Sequence, residues 1–342
     1  MNIDFETSVD QIRKVNPNRN YWFIRTFSGI TFEEFYQKNY VGIGFNDIPY
    51  NYIQEAKKEN EQSKENLKKY LEIHTTYEKG EITKWANQII NFQHEIKIND
   101  VVIIPSHNSD FLAIGTIESD VKLVKNPGSF SYKDKIEMLP QRRRKVNWIL
   151  ARKKSYFRND FNGIFSSRQA ITNISDYSEA IESYISSLFI KGEKAYLSIS
   201  VNQDEDINAF ELSKLLNSLT YFYREFCLEF DSENFSEELY IKIKVQSKGR
   251  FVLKAISTVG LLGLGVLFAL SHNPELRIQL GSSIYFEGKS GGGFLKSLDE
   301  FLENSHRRKT EYQILLDSIE ANKAKRTRSN DEPFDQIEEN GE

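Results

Sequence analysis

The sequence predicts an α+β protein: a β-rich N-terminal domain carrying helices, followed by a smaller α/β domain that contains a very hydrophobic helix. Three stretches carry this expectation. Lys97 to Asp120 holds two apolar runs, Val101–Ile104 and Phe111–Ile114, around the polar tip Ser106–Asp110, which is the pattern of a hairpin. Ala195 to Val245 reads as strand, helix, strand. Ala255 to Ser271 runs for 17 residues without a charge.

Taken in order, residues 1–19 read as a loosely held arm ending in Asn16-Pro17-Asn18. Tyr21–Arg25 is aromatic and β-branched, hence a strand. Thr31 to Phe35 looks like a helix start, with Thr31 as cap and Glu34 three residues on. Tyr40–Phe45 is a strand whose Gly42 and Gly44 imply close approach by a neighbour or ligand. Residues 54–73 read as a solvated helix. Glu81 to Glu95 is a helix with Ile82, Trp85, Ile89 and Phe92 on one face, a core stripe. After the hairpin, Ser129–Leu139 is a polar excursion, Gln141–Leu150 a strand, and Ser178–Leu188 a helix. The first domain is expected to span 20–188.

The second domain, 189–320, opens with the half-buried strand Ala195–Val201. The amphipathic helix Asn208–Phe226 and the alternating strand Leu239–Val245 follow. Phe251–Ser271 is expected to be helical. Its uncharged core lies at the lower edge of bilayer-spanning length, and Gly260, Gly263 and Gly265 suit close helix packing. Two readings stay open, a helix buried within the domain or oligomer and a membrane-inserting helix. Gly288-Lys289-Ser290 lacks the upstream glycine of a phosphate loop, since Ser283 stands there. Phe294–Ile319 reads as a terminal helix and 321–342 as a disordered tail.

Composition narrows the function classes. The chain has 342 residues, 39% hydrophobic, with 17 Tyr and 24 Phe, ample for two packed cores. The lone Cys227 precludes an intrachain disulfide, and the 5 histidines show no paired-ligand spacing, so no metal or cofactor is expected. The acidic, polar start is unlike a secretory signal, so a cytoplasmic location, with inner-membrane association as the variant, is the expectation. Residues 1–170 carry 26 Lys/Arg against 21 Asp/Glu, and the remainder 19 against 28. A basic front half on an acidic partner suits a nucleic-acid-facing module.

The strongest local signal is the run from Arg142 to Arg158. It holds Arg142, Arg143, Arg144, Lys145, Arg152, Lys153, Lys154 and Arg158 with no acidic residue among them. Clustered cations neutralise phosphates, and Trp148, Tyr156 and Phe157 offer stacking faces. The alternative is a solvated strand face followed by a basic loop. Ser106 and His107 at the hairpin tip form a candidate donor pair. Glu237 and Glu238 ahead of Lys242 and Lys244 miss the carboxylate-to-lysine spacing of a metal-dependent nuclease. No nucleophile motif is present either, so the chain reads as one that binds rather than cleaves.

Several pieces, in order, resemble a known family: Tyr21-Trp22-Phe23-Ile24-Arg25-Thr26, Val41-Gly42-Ile43-Gly44-Phe45, Asp100–Ser106, Ile114-Gly115-Thr116-Ile117, Arg144-Lys145-Val146-Asn147-Trp148 and Ser167-Arg168-Gln169. Together they resemble the PUA-like modules, related to EVE domains, at the N-termini of many restriction-like and anti-phage proteins. The resemblance covers roughly residues 20–185. It implies a small, strongly curved β-barrel with rim helices that holds a base, often a modified one, in an aromatic-lined cleft. It implies Trp22, Phe45 and Trp148 as lining residues and Arg25 and Asn147 as polar readers. Phe45 stands where such modules often have tryptophan. The expected protein is thus a bacterial defence protein whose N-terminal domain binds nucleic acid or a nucleotide. Its C-terminal domain would serve homo-oligomer assembly, an operon-encoded partner, or output. A membrane-acting effector inserting 251–271 and a divergent nuclease component are the alternatives.

Overall fold

A computed structural model describes residues 12–132, 135–157, 160–200, 209–230, 238–244, 250–272, 277–280 and 284–287. It is a mixed α+β structure whose N-terminal region carries a curled, half-barrel sheet. The chain divides into two compact units, Arg13–Gly192 and a second built from Glu193 onward together with Met1–Ile12. The expected terminal helix 294–319 and the tail 321–342 lie outside the described residues, as do Arg158 and Glu237.

In the first unit the elements run β1 (Arg13–Val15), β2 (Tyr21–Ile24), α1 (Phe32–Gln37), β3 (Tyr40–Ile43), α2 (Tyr50–Glu55), α3 (Glu61–His74) and α4 (Lys79–Ile90). A π-turn over Asn91–Glu95 follows, then β4 (Val101–Pro105), β5 (Phe111–Ile117), β6 (Lys122–Leu123), β7 (Ser129–Tyr132), β8 (Lys135–Met138) and β9 (Arg142–Lys153). The unit closes with β10 (Ile171–Asn173), α5 (Ser178–Ile185) and β11 (Leu188–Lys191). The main sheet has the order β10-β2-β4-β5-β9-β3, with β6 beside β9. The polar excursion 129–139 is in fact a second hairpin, β7–β8, standing apart from that sheet.

β2 and β4 are central and parallel to one another, and both faces of each are covered. Trp22, Ile24, Val102 and Ile104 face one core, with α1 to α4 packed over it, while Tyr21, Phe23, Val101 and Ile103 face another, closed by Phe157, Phe161 and α5. A strand buried on both sides needs a continuous apolar run, which is why Tyr21–Ile24 and Val101–Ile104 do not alternate. Gly115 sits where β5 and β9 lose register, and a Cβ there would lie 2.6 Å from Val146 Cγ1 and 2.7 Å from the Asn147 carbonyl. Glycine is thus the residue that lets the long strand bend at this bulge.

Helix boundaries follow local chemistry. Glu78 and Glu81 form a reciprocal capping box at the start of α4. Thr31, by contrast, makes no side-chain cap to α1, and its buried Oγ1 has no hydrogen-bond partner. The 54–73 stretch is less solvated than its charge suggests, because α3 buries Ser63, Leu67 and Leu71. Nor does the arm 1–19 hang loose throughout. Arg13 and Arg19 both pair with the fully buried Glu182 of α5, Arg19 at 3.2 Å, and β1 runs parallel to β11.

Tyr21 completes that buried cluster by donating to Glu182 Oε1 at 2.6 Å. Burial, then the Glu182 charge and this bond, push its phenol above the ordinary range. Burial does the same for Tyr40, with Glu34 adding to the rise and Arg143 opposing it. A phenol that holds its proton more tightly when folded contributes in full below about pH 10, and that contribution is lost as pH rises past this value. Urea midpoints should therefore fall more steeply above about pH 10 for the wild type than for the Tyr21→Phe/Tyr40→Phe variant. Parallel profiles would show that neither phenol is coupled to folding.

The second unit comprises β12 (Lys194–Ser200), α6 (Ala209–Phe230), β13 (Leu239–Lys244), β14 (Arg250–Ala255), α7 (Thr258–His272), β15 (Arg277–Leu280) and β16 (Ile284–Glu287). β14 is antiparallel to both β12 and β13 and lies between them, a split β-α-β arrangement. This corrects the expected helix over 251–271: residues 250–255 are the central strand, and the apolar helix has only 15 residues. Among the described residues no helix is long and apolar enough to cross a membrane. The glycines do permit close packing, but against α6. A Cβ on Gly260 would lie 2.5 Å from Tyr223 and Cys227, and one on Gly263 would lie 2.7 Å from Phe226.

Candidate functional site

The loop after β3 carries the site's most unusual backbone. Phe45 has φ of +67°, a left-handed conformation that a bulky residue rarely adopts. Two side chains from the start of β9 and the loop itself hold it there. Arg142 donates to the carbonyls of Phe45 at 2.7 Å and Ile48 at 2.5 Å. Asn46 donates to the Leu139 carbonyl at 3.0 Å and accepts from the Gln141 amide at 2.9 Å. So braced, the Phe45 ring meets Trp85 of α4 edge-on, with centroids 5.1 Å apart.

From there a row of half-buried rings extends in both directions. Tyr77 lies 6.1 Å beyond Trp85, whose face also carries the Lys84 ammonium at 5.3 Å. On the other side, Gly44 borders a second pair of rings, since a Cβ added there would sit in ordinary contact, 3.6 Å, with the Phe27 ring. Phe27 in turn meets Phe130 of β7 at 5.2 Å. All five rings are partly exposed rather than sealed in the core. Phe27 and Ser28 are also left-handed, at φ +48° and +57°, and Gly29 follows at +90°. The turn is forced tight because Gly29 lies against the backbone of Ser106 and His107, where a Cβ would fall 2.1 Å from the His107 nitrogen. Strained backbone gathered around one set of rings is the pattern expected of a preorganised binding surface.

Arg25, just after β2, lies with the second core rather than with the rings, its guanidinium 5.6 Å over the Phe23 ring. Its guanidinium donates to the carbonyls of Ser167 and, at 3.3 Å, Phe165, while its buried Nε has no hydrogen-bond partner. The segment after Ser167 is fastened to α4 by Gln88, whose Oε1 accepts from the amides of Ala170 at 2.5 Å and Ile171 at 3.1 Å. The 167–170 segment is thereby fastened to the helix that also carries Trp85. Flat apolar faces with a cationic donor such as Lys84 beside them suit a planar, hydrogen-bonding ligand.

The other sequence-derived residues are placed differently. Trp22 is 3% exposed, and its indole donates to Asp100 Oδ2 at 2.9 Å. It is core, because β2 is covered on both faces. Trp148 is half-buried under α1, where it meets Tyr36 at 5.8 Å and donates weakly to the Phe35 carbonyl at 3.4 Å. Asn147 points outward from β9. Ser106 uses its hydroxyl to accept from the Phe111 amide at 2.8 Å, which closes the hairpin tip. Phe45 is thus the one aromatic of the expected three that joins the row, and Trp85, Tyr77, Phe27 and Phe130 join it unannounced. Trp85 sits at the edge of the α4 stripe, where a partly exposed tryptophan next to lysine was the available signal.

The basic run divides in two. Arg142 and Arg144 point inward like Val146, at 2% and 1% exposure, and cannot reach a phosphate. Arg144 donates to the carbonyls of Phe92 at 3.0 Å, Gln93 at 3.0 Å and Ser119 at 3.1 Å, so it caps the carbonyls that the π-turn leaves free. Burial pulls its guanidinium down to about 10, with Asp120 and Asp100 opposing, and burial lowers Arg142 too. Arg143 is half-buried across the Tyr40 ring at 4.1 Å. Lys145 is exposed and paired with Glu118 at 3.1 Å. The solvent-facing cations are Arg152 and Lys153, with the half-buried Lys154 4.4 Å over the Phe165 ring. Phe111 stands opposite Lys153, and Tyr156 is 48% exposed.

Among the described residues no group of three His, Cys, Asp or Glu could hold a metal ion. Residues 25–175 match a family model described as a domain of unknown function (DUF8426), a span that covers under half of the chain and contains every ring of the row. No curated protein matches the chain.

Proposed function

We propose that the 13–192 unit is a PUA-like, EVE-related reader of a nucleobase within a bacterial defence protein, and that the second unit serves assembly or output. The observation that carries this reading is the set of half-buried rings around the braced Phe45, with Lys84 as a donor beside Trp85. A base offers a flat π-face to stack and an edge to hydrogen-bond, which matches that equipment. Arg152, Lys153 and Lys154, with Phe111 and Tyr156 among them, supply a place for the backbone phosphates. That strip begins at the Ser106–Asp110 tip, which packs on the Phe27–Gly29 turn, so it connects to the row through adjoining loops.

The test is fluorescence anisotropy with labelled single-stranded DNA, duplex DNA and single-stranded RNA. Each is used plain and with one 5-methylcytosine or N6-methyladenine, from low to physiological salt. Binding should appear at low salt and favour one modified probe. Replacing Arg152, Lys153 and Lys154 with serine should weaken every probe alike and reduce the salt slope by about two, at roughly 0.7 per phosphate contact for single strands. If the wild type binds no probe at low salt, the reading is wrong.

A further inference from the structure

Among the described strands of the 13–192 unit, β7 and β8 pair only with each other. Their base is firmly built. Arg143 donates to the carbonyls of Pro140 at 2.7 Å and Pro127 at 2.6 Å, so one guanidinium staples both ends of the excursion. The Leu139 amide donates to the Gly128 carbonyl at 3.0 Å, and Gly128 takes φ of +82°. Pro140 lies directly on β3, because Gly42 leaves room where a Cβ would fall 2.5 Å from the Pro140 Cβ. The Leu139 carbonyl is also held by Asn46, the residue next to Phe45.

Beyond this base little of the arm is buried. All four residues of β8 are exposed, Ile136 at 83%, and on β7 only Phe130 and Tyr132 are half-buried. Phe130 reaches the row of rings edge-on to Phe27. A rigid base with few buried contacts further out is the construction of an element that opens as one piece at low cost.

We propose that the β7–β8 hairpin is the specificity arm of the aromatic site. It supplies Phe130 as the site's outer wall, swings about the Pro127–Gly128 and Leu139–Pro140 base to admit a nucleobase beside Phe27, and closes to hold it. This rests on the reading of the unit as a base reader and deepens it. An opening arm sets residence time, and a ring closing on one edge of the base senses substituents there. Sequence preference therefore depends on Phe130, while the electrostatic part of binding does not.

The experiment compares full-length wild type, Phe130→Ala, Phe130→Tyr and an armless chain in which residues 129–138 become Gly-Gly, which joins ends already hydrogen-bonded through Gly128 and Leu139. The probes are the plain and singly modified oligonucleotides named above. Phe130→Ala and the armless chain should bind the preferred modified probe about 10-fold more weakly and release it faster, in line with loss of one stacking contact. They should discriminate modified from plain probe less than about 2-fold, with the salt slope unchanged, and Phe130→Tyr should restore both. If the armless chain fails to fold, Phe130→Ala and Phe130→Tyr carry the comparison. Wild type that binds while Phe130→Ala keeps affinity and discrimination overturns the arm alone. Wild type that binds no probe overturns the base-reader reading and the arm together.

Discussion

Arg144→Ala should destabilise the 13–192 unit by about 3–5 kcal/mol, the order expected when three buried carbonyls lose their donor together. The side chain is 1% exposed and bonds three carbonyls, those of Phe92, Gln93 and Ser119. Truncation strands all three without water, at about 1–3 kcal/mol each before relaxation. For a unit of this size about 1 kcal/mol lowers the melting temperature by roughly 2–4 °C, so a loss of about 10 °C is expected by calorimetry. Arg144→Lys should recover little, because one ammonium cannot span carbonyls that a planar fork reaches. Lys145→Ala, one residue on, removes an exposed ion pair with Glu118 and should change stability by less than about 1 kcal/mol. Native-like melting of Arg144→Ala with loss of oligonucleotide binding would instead place Arg144 on the phosphate-contacting surface.

That contrast between neighbours marks the border of what the sequence makes legible. Strand parity was available: Arg142 and Arg144 share a side with Val146, and a strand side that carries Val146 into the core carries them too. Composition points the other way, because uncompensated arginines are ordinarily found in water rather than in a core. The compensation that lets two guanidiniums stay inside consists of carbonyls freed by the 91–95 π-turn and the 45–48 loop, and no local pattern announces these. The long-range pieces failed similarly. Val101–Ile104 and Phe111–Ile114 were readable as paired strands because each is a run bounded by turn residues. Trp85 and Phe45 come from a helix and a loop forty residues apart, and only the closed fold sets them 5.1 Å apart. The helix expected over 251–271 failed differently. Its first residues are apolar and β-branched enough to extend either pattern, and pairing on both edges of β14 decided for strand.

The loops at the site are built as one piece with the curled sheet. Asn46 ties the Phe45 loop to Leu139 and Gln141, Arg142 ties it to β9, and Gly29 seats the Phe27 turn on the hairpin tip. Such bracing keeps a strained conformation populated in the absence of ligand, so little reorganisation is left for binding. The strain is then a measurable property of the site rather than a by-product of folding.

Phe45 offers the sharpest measurement of it. A non-glycine residue held left-handed costs about 1–2 kcal/mol, so the native side chain is retained against its own backbone. Phe45→Ala keeps that penalty and loses the contact with Trp85, whereas Phe45→Gly loses the contact and relieves the backbone. Chemical denaturation should therefore rank glycine above alanine by about 1 kcal/mol, the reverse of their order in a helix or strand interior. Glycine should also fall within about 1 kcal/mol of the wild type. Both variants should bind the preferred modified oligonucleotide about 10- to 100-fold more weakly, the worth of one stacking platform. Equal stability of the two variants would mean that the loop is not held left-handed, and undiminished binding would mean that the ring is not a platform. A glycine variant that is stable yet blind to the base is the outcome expected where side-chain identity is kept for recognition and backbone geometry is supplied by Arg142 and Asn46.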